Sequence, residues 1–242
     1  MSAKKRSNLD GMLQPGRRIG GKYVVEDLLG SGIEGEVYKV REIRTDIVRA
    51  AKVFFPIAGQ KETISTWHAK KLDKLRHCTS VLQYLHVETV KVRRTNVSCL
   101  ISEYLDGKLL YDLLAGLPGK RLTPFDALHL TYTICCGLQE VHLSQEYHGD
   151  LHSSNIFVKR RGIFFDVKFI DFYHRGRATF AERQSDLIDV IHLLYEMVGG
   201  RKNYAKQPPE IKAICLGLRR DLILRRYSKV ERLVKHLESF EI

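Results

Sequence analysis

The amino-acid sequence predicts an α+β fold in two lobes, a small antiparallel β lobe carrying one helix followed by a mostly α-helical lobe. Three observations predict it. Between Tyr23 and Tyr104 apolar residues recur with the period of two that marks half-buried strands, interrupted by one helical stretch. After Gly107 the period lengthens to 3.6. The length, 242 residues, suits one large domain or two small lobes, with a core that needs neither disulfide nor metal.

The elements follow in order. Residues 1–20 are basic, contain Gly and Pro, and lack an apolar period, so a basic tail or loose strand is expected. Three antiparallel strands are predicted next: residues 23–25 leading into a glycine cluster, then 37–40, and, after the polar turn Arg44-Thr45-Asp46, 47–55. Residues 63–76 carry Trp67, Leu72 and Leu75 among Lys, His and Asp, the pattern of an amphipathic helix. Two further strands occupy 84–92 and 97–104. In the second lobe Thr123 caps a helix with Pro124 at its first position, and Ala127, Thr131, Ile134, Leu138 and Val141 recur at helical spacing, which predicts a buried helix. A later helix runs from Leu187 through Val190, Ile191, Leu194 and Met197 to Gly199-Gly200. The last is expected from Ser228, with Glu231 completing a capping box and Val230, Leu233, Val234 and Leu237 buried. The expected organisation is a tail at 1–20, a first lobe at 21–104 and a second at 105–242.

Forty Lys and Arg against 28 Asp and Glu give a net charge of +12, a surface that attracts anions without choosing among nucleotides, nucleic acids, acidic proteins and anionic lipid. No nucleic-acid motif or aromatic–basic platform accompanies the charge, so nucleic acid is not an expected partner. The five cysteines, Cys78, Cys99, Cys135, Cys136 and Cys215, are odd in number and contain no CxxC, which fits reduced thiols in a cytoplasmic setting. Lys4-Lys5-Arg6 has no apolar stretch behind it, so no secretory leader is expected. The most apolar segment, 187–198, is interrupted by Asp189, His192 and Glu196 and is too short for a membrane span.

Three motifs carry chemistry. Gly30-Ser31-Gly32-Ile33-Glu34-Gly35-Glu36-Val37 lies between two predicted strands, which argues against a dinucleotide-binding turn. A hairpin of this kind lets backbone N–H groups approach phosphates, and it is equally a plain structural turn. Fifteen residues past Val37, Lys52 stands in the apolar strand Ala50-Ala51-Lys52-Val53. An ammonium buried there needs an anionic partner, while a lysine on a solvent-facing edge needs none. The third motif is His148-Gly149-Asp150-Leu151-His152-Ser153-Ser154-Asn155, followed by Val167-Lys168-Phe169-Ile170-Asp171-Phe172.

Together these resemble the protein kinase family, specifically the bacterial eukaryotic-like (Hanks-type) Ser/Thr kinases, over residues 23–240. The resemblance implies a bilobal kinase-like fold and a phosphotransferase that uses ATP and Mg²⁺. It assigns nucleotide contact to Gly30, Ser31, Gly32, Gly35, Val37, Ala50 and Lys52. Asp150 becomes the base that orients the acceptor hydroxyl, and Asn155 and Asp171 become the Mg²⁺ ligands. The stretch 98–107 resembles the hinge that binds adenine, with contacts from Glu103 and Leu105 and the small residue Ser102 at the gatekeeper position. Asp186 matches the aspartate that braces the catalytic loop. The C-terminal stretch 221–237 resembles the last helices of the bacterial kinases, which favours a protein acceptor, the chain itself included.

The sequence also departs from the family. The helix glutamate that usually pairs with the strand lysine falls at His68, so either Glu62 serves from a shifted helix or Lys52 has no such partner and catalysis is weakened, the second being favoured. Gly149 replaces the arginine that reads an activation-segment phosphate, which implies activity without that phosphate. Tyr173 replaces a glycine and is expected to stiffen its loop. Asp186 follows Asp171 by only 15 positions with no Ala-Pro-Glu between, so the peptide-docking segment is expected to be short; its Arg175, Arg177 and Arg183 suit an acidic substrate or simply a solvated basic face. His152 stands where Ser/Thr kinases carry lysine, a pattern shared with small-molecule kinases. The alternatives to a Ser/Thr protein kinase are therefore a kinase for a small hydroxylated acceptor and a nucleotide-binding pseudokinase.

Overall fold

The computed structural model describes residues 11–55, 64–92, 94–173 and 178–240. The chain divides into two compact units, one formed up to Arg76 together with Leu82–Leu105, the other by His77–Val81 and Asp106–Ile242. The short piece 77–81 leaves the first unit because Val81 bridges Phe169 and the Phe169 amide donates to Ser80 O. Sequence periodicity carries no sign of this exchange.

The first unit is a six-stranded antiparallel sheet with one helix. Its strands are β1 (Arg18–Ile19), β2 (Tyr23–Ser31), β3 (Gly35–Glu42), β4 (Val48–Phe54), β5 (Tyr84–Val92) and β6 (Thr95–Glu103), in the spatial order β1-β2-β3-β4-β6-β5. Helix α1 (Ile64–Lys74) follows β4 in the chain. Alternation sets the two faces of the sheet. Tyr38 and Val40 on β3, Ala51 and Val53 on β4, and Cys99 and Ile101 on β6 are buried in one core. Val37, Lys52, Ala50 and Ser102 therefore share the opposite face, and the register brings them side by side: Val37 opposes Lys52, and Ala50 opposes Ser102.

The described part of the N-terminal segment, residues 11–20, is anchored to the first unit and contributes β1, the strand alternative of the expected tail or loose strand. Leu13 and Ile19 are buried in the same core. Backbone N–H of Met12 donates to Glu36 Oε2 at 2.7 Å and that of Leu13 to the Tyr38 hydroxyl at 2.9 Å. Two apolar side chains spaced six apart are too few to register as a period.

Among its described residues the second unit holds a three-stranded sheet, β7 (Lys108–Leu109), β8 (Ile156–Arg161) and β9 (Phe164–Phe169), and six α-helices: α2 (Leu110–Ala115), α3 (Pro124–Leu143), α4 (Phe180–Met197), α5 (Pro209–Cys215), α6 (Arg220–Arg226) and α7 (Val230–Glu238). Helix α3 is as expected: Thr123 Oγ1 accepts from the Asp126 amide at 3.1 Å, and Ala127, Thr131, Ile134, Leu138 and Val141 are all buried. Helix α4 starts seven residues earlier than expected. Thr179 Oγ1 accepts from the Glu182 amide at 3.2 Å, a cap overlooked because the first two turns carry mostly polar residues. Asp186 thus lies inside α4. The Ser228 capping box is not formed: α7 begins at Val230 with Lys229 at the cap and no side-chain cap bond. No described helix is long and apolar enough to cross a membrane. The five cysteines are thiols outside any disulfide, and burial pushes those of Cys99 and Cys215 up to about 12.

Candidate active site

The glycine-rich segment forms the β2–β3 hairpin. Gly32 N–H donates to Gly35 O at 2.9 Å, and the Phe55 amide donates to Glu34 O at 2.8 Å, pinning the hairpin to the end of β4. Gly35 has no alternative, since a Cβ there would lie 2.1 Å from Val53 O. At Gly30 and Gly32 a Cβ would meet nothing within 4 Å, so the backbone there stands clear of neighbouring atoms. Ser31 pairs with Glu36 at the neck of the hairpin.

Lys52 meets a carboxylate of the hairpin, a contact that the sequence held no reason to expect. Its Nζ donates to Glu34 Oε2 at 2.9 Å, and the same oxygen accepts from His68 Nε2 at 3.1 Å. His68, the residue at the usual glutamate position, is buried on α1. The Phe54 ring lies beneath both, 5.3 Å from Lys52 Nζ and 5.6 Å from the imidazole centroid. The His68 hydrogen bond and the Lys52 charge, acting against burial, hold the Glu34 carboxyl at about 2, so it is ionised at neutral pH. Glu62, the other candidate partner, lies outside the described residues, as do Arg175 and Arg177.

At the end of β6, Ser102 is buried and its hydroxyl donates to Glu103 O at 3.3 Å. The segment before β5 fixes Glu103: its amide donates to Gln83 O at 3.0 Å, and its Oε1 accepts from the Gln83 amide at 2.9 Å. Leu105 follows as the last residue of the first unit.

In the second unit the HGDLHSSN segment is held from below by Asp186, which is fully buried. Its Oδ1 accepts from the Gly149 amide at 2.8 Å, and its Oδ2 from the His148 amide at 2.8 Å and from His142 Nε2 at 2.9 Å. Three donors satisfy a carboxylate that burial would otherwise make costly. His148 Nε2 donates to Ile170 O at 3.0 Å while its Nδ1 accepts from the Asp150 amide at 3.3 Å, which fixes the imidazole in one tautomer. Gly149 has φ +81°, and a Cβ there would lie 2.6 Å from the Tyr147 ring and 2.7 Å from Tyr173 Cβ. The missing arginine thus has a local steric reason.

The three predicted chemical residues are joined by this frame. Asn155 Nδ2 donates to Asp150 O at 2.8 Å and to Asp150 Oδ2 at 3.2 Å, and the Ile170 amide, next to Asp171, donates to Asn155 O at 3.1 Å. With Nδ2 committed to Asp150, the amide oxygen of Asn155 is oriented as an acceptor. An amide oxygen and a carboxylate such as that of Asp171 are donor types that Mg²⁺ takes. Asp171 takes φ +55°, a left-handed conformation that aspartate tolerates better than most residues. His152 Nδ1 accepts from the Ser154 amide at 3.2 Å, and its Nε2 lies 3.6 Å from Asp150 Oδ2. The Asp150 side chain remains more than half exposed.

Two residues escaped the sequence reading. Glu34 was within the quoted motif, and the signal for it was His68, an imidazole able to donate to a carboxylate brought beside it. Asp189, on α4, has its carboxyl pushed up to about 6 by burial, with the charges of Asp186 and Asp150 adding to the effect.

A family model of the protein kinase domain matches residues 23–211. The chain is similar to a "probable serine/threonine-protein kinase" of Streptomyces coelicolor, 28% identical over 159 residues, which is 64% of this chain and 23% of that protein. It is also similar to myosin light chain kinase 3 of Danio rerio, 31% identical over 153 residues, 60% of this chain and 19% of that protein. The third is the serine/threonine-protein kinase PrkC of Bacillus subtilis, 26% identical over 160 residues, 65% of this chain and 23% of that protein. The matched stretches thus span about a fifth to a quarter of each relative's length.

Proposed function

The chain belongs to the protein kinase family, and from that premise we propose that it is a phosphotransferase that moves the γ-phosphate of ATP to a serine or threonine hydroxyl of a protein, its own chain included. The observation that carries the reading is the hydrogen-bonded set of Asp150, Asn155 and the backbone beside Asp171, held by a buried Asp186. Phosphoryl transfer through a loose transition state needs positioning and charge neutralisation rather than a covalent nucleophile, and these residue types supply both.

In this reading Asp150 accepts a hydrogen bond from the acceptor hydroxyl, orients its oxygen toward the γ-phosphorus and takes its proton as the new P–O bond forms and the β–γ bridging bond breaks. Asn155 Oδ1 and the Asp171 carboxylate would hold Mg²⁺, which when bound neutralises charge on the phosphate oxygens. His148, Gly149 and Asp186 keep Asp150 at its station. Lys52 meets the phosphates, the open backbone at Gly30, Ser31 and Gly32 lies over them, Val37 and Ala50 flank the base, and Glu103 and Leu105 bind its edge beside Ser102. A cytoplasmic setting suits an ATP-consuming enzyme with free thiols.

His152 favours a second reading, a kinase for a small hydroxylated acceptor, because its imidazole faces Asp150 where Ser/Thr kinases present a lysine. The short Asp171-to-Asp186 segment, with little room for a peptide platform, points the same way. The pseudokinase reading is favoured only by the absent helix glutamate, and the contact of Lys52 with Glu34 weighs against it.

The test is incubation with γ-labelled ATP, Mg²⁺ and generic protein acceptors, with Asp150→Ala as control. Label on protein that disappears in the variant is the expected result. Label that survives Asp150→Ala contradicts the base; ATP hydrolysis without labelled protein favours the small acceptor; ATP binding without turnover favours the pseudokinase.

A further inference from the structure

The chain just ahead of the sheet ties both arms of the glycine-rich hairpin together. Strand β2 enters the hairpin and β3 leaves it, and residues 11–19 are bonded to each. We propose that residues 11–13 form a clasp on this hairpin, with Glu36 as the positioning residue through which the clasp holds Gly30, Ser31 and Gly32 in place for the nucleotide. The inference rests on the kinase reading for what the hairpin binds, and on geometry alone for what holds it.

Four observations carry it. On the β2 side the hold is backbone: Gly16 N–H donates to Val25 O at 2.8 Å, the Val25 amide donates to Arg17 O at 2.9 Å, and β1 continues the pairing at Arg18 and Ile19. On the β3 side it is made by side chains. Glu36 Oε2 accepts from the Met12 amide at 2.7 Å and from the Tyr38 hydroxyl, whose oxygen in turn accepts from the Leu13 amide at 2.9 Å. These groups are shielded from water: Glu36 is 7% exposed, Tyr38 is fully buried, and Leu13 is 4% exposed within the core of the sheet. The approach is close, since a Cβ on Gly11 would lie 2.7 Å from the Tyr38 hydroxyl oxygen.

The place of Glu36 in β3 links the clasp to the nucleotide. It follows Gly35, whose carbonyl accepts from Gly32 N–H and closes the turn, and it pairs with Ser31 across the neck of the hairpin. Alternation along β3 sends Glu36 and Tyr38 to the face that the clasp covers, and Val37 to the face shared with Lys52. Burial, and then the carboxylate beside it, push the Tyr38 hydroxyl well above the ordinary phenol value, so it stays a donor. A buried carboxylate that loses its donors must be hydrated instead, which shifts the start of β3 and with it the turn.

The test uses the full chain as wild type, Glu36→Ala, Glu36→Gln, Tyr38→Phe and Met12→Pro, the last removing the amide donor from the other side of the contact. Thr123→Ala, whose cap lies in the second unit, controls for loss of stability alone, and thermal melting identifies the variants that fold. Two readouts are taken. The first is amide hydrogen exchange over residues 28–38 by mass spectrometry without nucleotide; it needs no phosphotransfer. The second is KM for ATP against kcat.

Glu36→Ala and Met12→Pro should each speed exchange over 28–38 by about tenfold. Each should raise KM for ATP by about 3–10-fold with kcat within about twofold of wild type, the sign of lost binding common to ground and transition states. Glu36→Gln keeps an accepting oxygen and should fall between wild type and Glu36→Ala. Combining Glu36→Ala with Met12→Pro should add little to either, because both break one contact. Exchange at the wild-type rate in Glu36→Ala and Met12→Pro would overturn the clasp, as would additive effects in the double variant. Faster exchange with an unchanged KM, or changes no larger than those of Thr123→Ala, would overturn the positioning role. If Glu36→Ala does not fold, Tyr38→Phe decides on the same readouts: a smaller change of the same sign supports the clasp, and wild-type values overturn it. Should the wild type transfer no phosphate while exchange still follows Glu36 and Met12, the kinase reading fails and the clasp stands.

Discussion

Asp189 sits within one helical turn of Asp186 on α4, in a place that disfavours its charge. Burial is the largest cause of its shift to about 6, followed by repulsion from Asp186 and Asp150, with Arg220 and His152 opposing. A carboxyl raised in the fold binds its proton more tightly there than in the unfolded chain. Its cost is therefore absent below about pH 4, grows between the two values, and is complete above pH 6. Asp189→Asn should melt higher than wild type at pH 7.5, by an amount on the order of 1–2 kcal/mol, or roughly 2–4 °C for each kcal/mol. The advantage should fade as the pH falls toward 4; thermal melts at several pH values check it, and a constant advantage contradicts it. Glu34 behaves in the opposite sense. Its folded value near 2 means that the Lys52–Glu34–His68 contact supports the fold above the ordinary glutamate range and is lost only as pH falls from about 4.5 toward 2. At this scale the sequence was legible where chemistry is local. Asp150 and Asn155 are five residues apart and fold into one loop. Glu34, Lys52 and His68 are separated by 18 and 16 positions, and only the hairpin, the strand register and the helix bring them to one oxygen.

Helix ends show what patterns in the chain can and cannot specify. Thr123 and Ser228 both looked like N-caps. Thr123 makes its bond, its Oγ1 accepting from the Asp126 amide and donating to Asp126 Oδ2 at 3.0 Å. Ser228 makes none, because the chain enters α7 one residue later, at Lys229, and burial of Val230 sets the start. Thr123→Ala should accordingly cost about 1 kcal/mol, and Ser228→Ala should stay within about 0.5 kcal/mol of wild type. Urea unfolding of the two variants measures the contrast, and equal losses would contradict the assignment. Strand alternation proved a firmer guide than caps, because a one-residue slip would send Lys52 into the core and Ala51 out of it. That alternation sets Val37, Ala50, Lys52 and Ser102 on one face, side by side in the register.

At the scale of the whole molecule, the change of period near Gly107 marked the passage from sheet to helices, and the structure divides at Leu105 and Asp106. What the period did not reveal was the return of 77–81 to the second unit, since a five-residue piece held by one bridge and a backbone bond leaves no periodic trace. The net charge of +12 suits a protein that handles polyphosphate, yet charge alone names no ligand. The account instead depends on Asn155 and Asp171 acting together on a metal-bound nucleotide beside Asp150. Calorimetric titration of ATP into the wild type and into Asp171→Asn, each with and without Mg²⁺, tests this most directly. The account predicts Mg²⁺-dependent binding by the wild type and its loss in a variant that remains folded; an Asp171→Asn protein whose ATP affinity still responds to Mg²⁺ as the wild type does would contradict it.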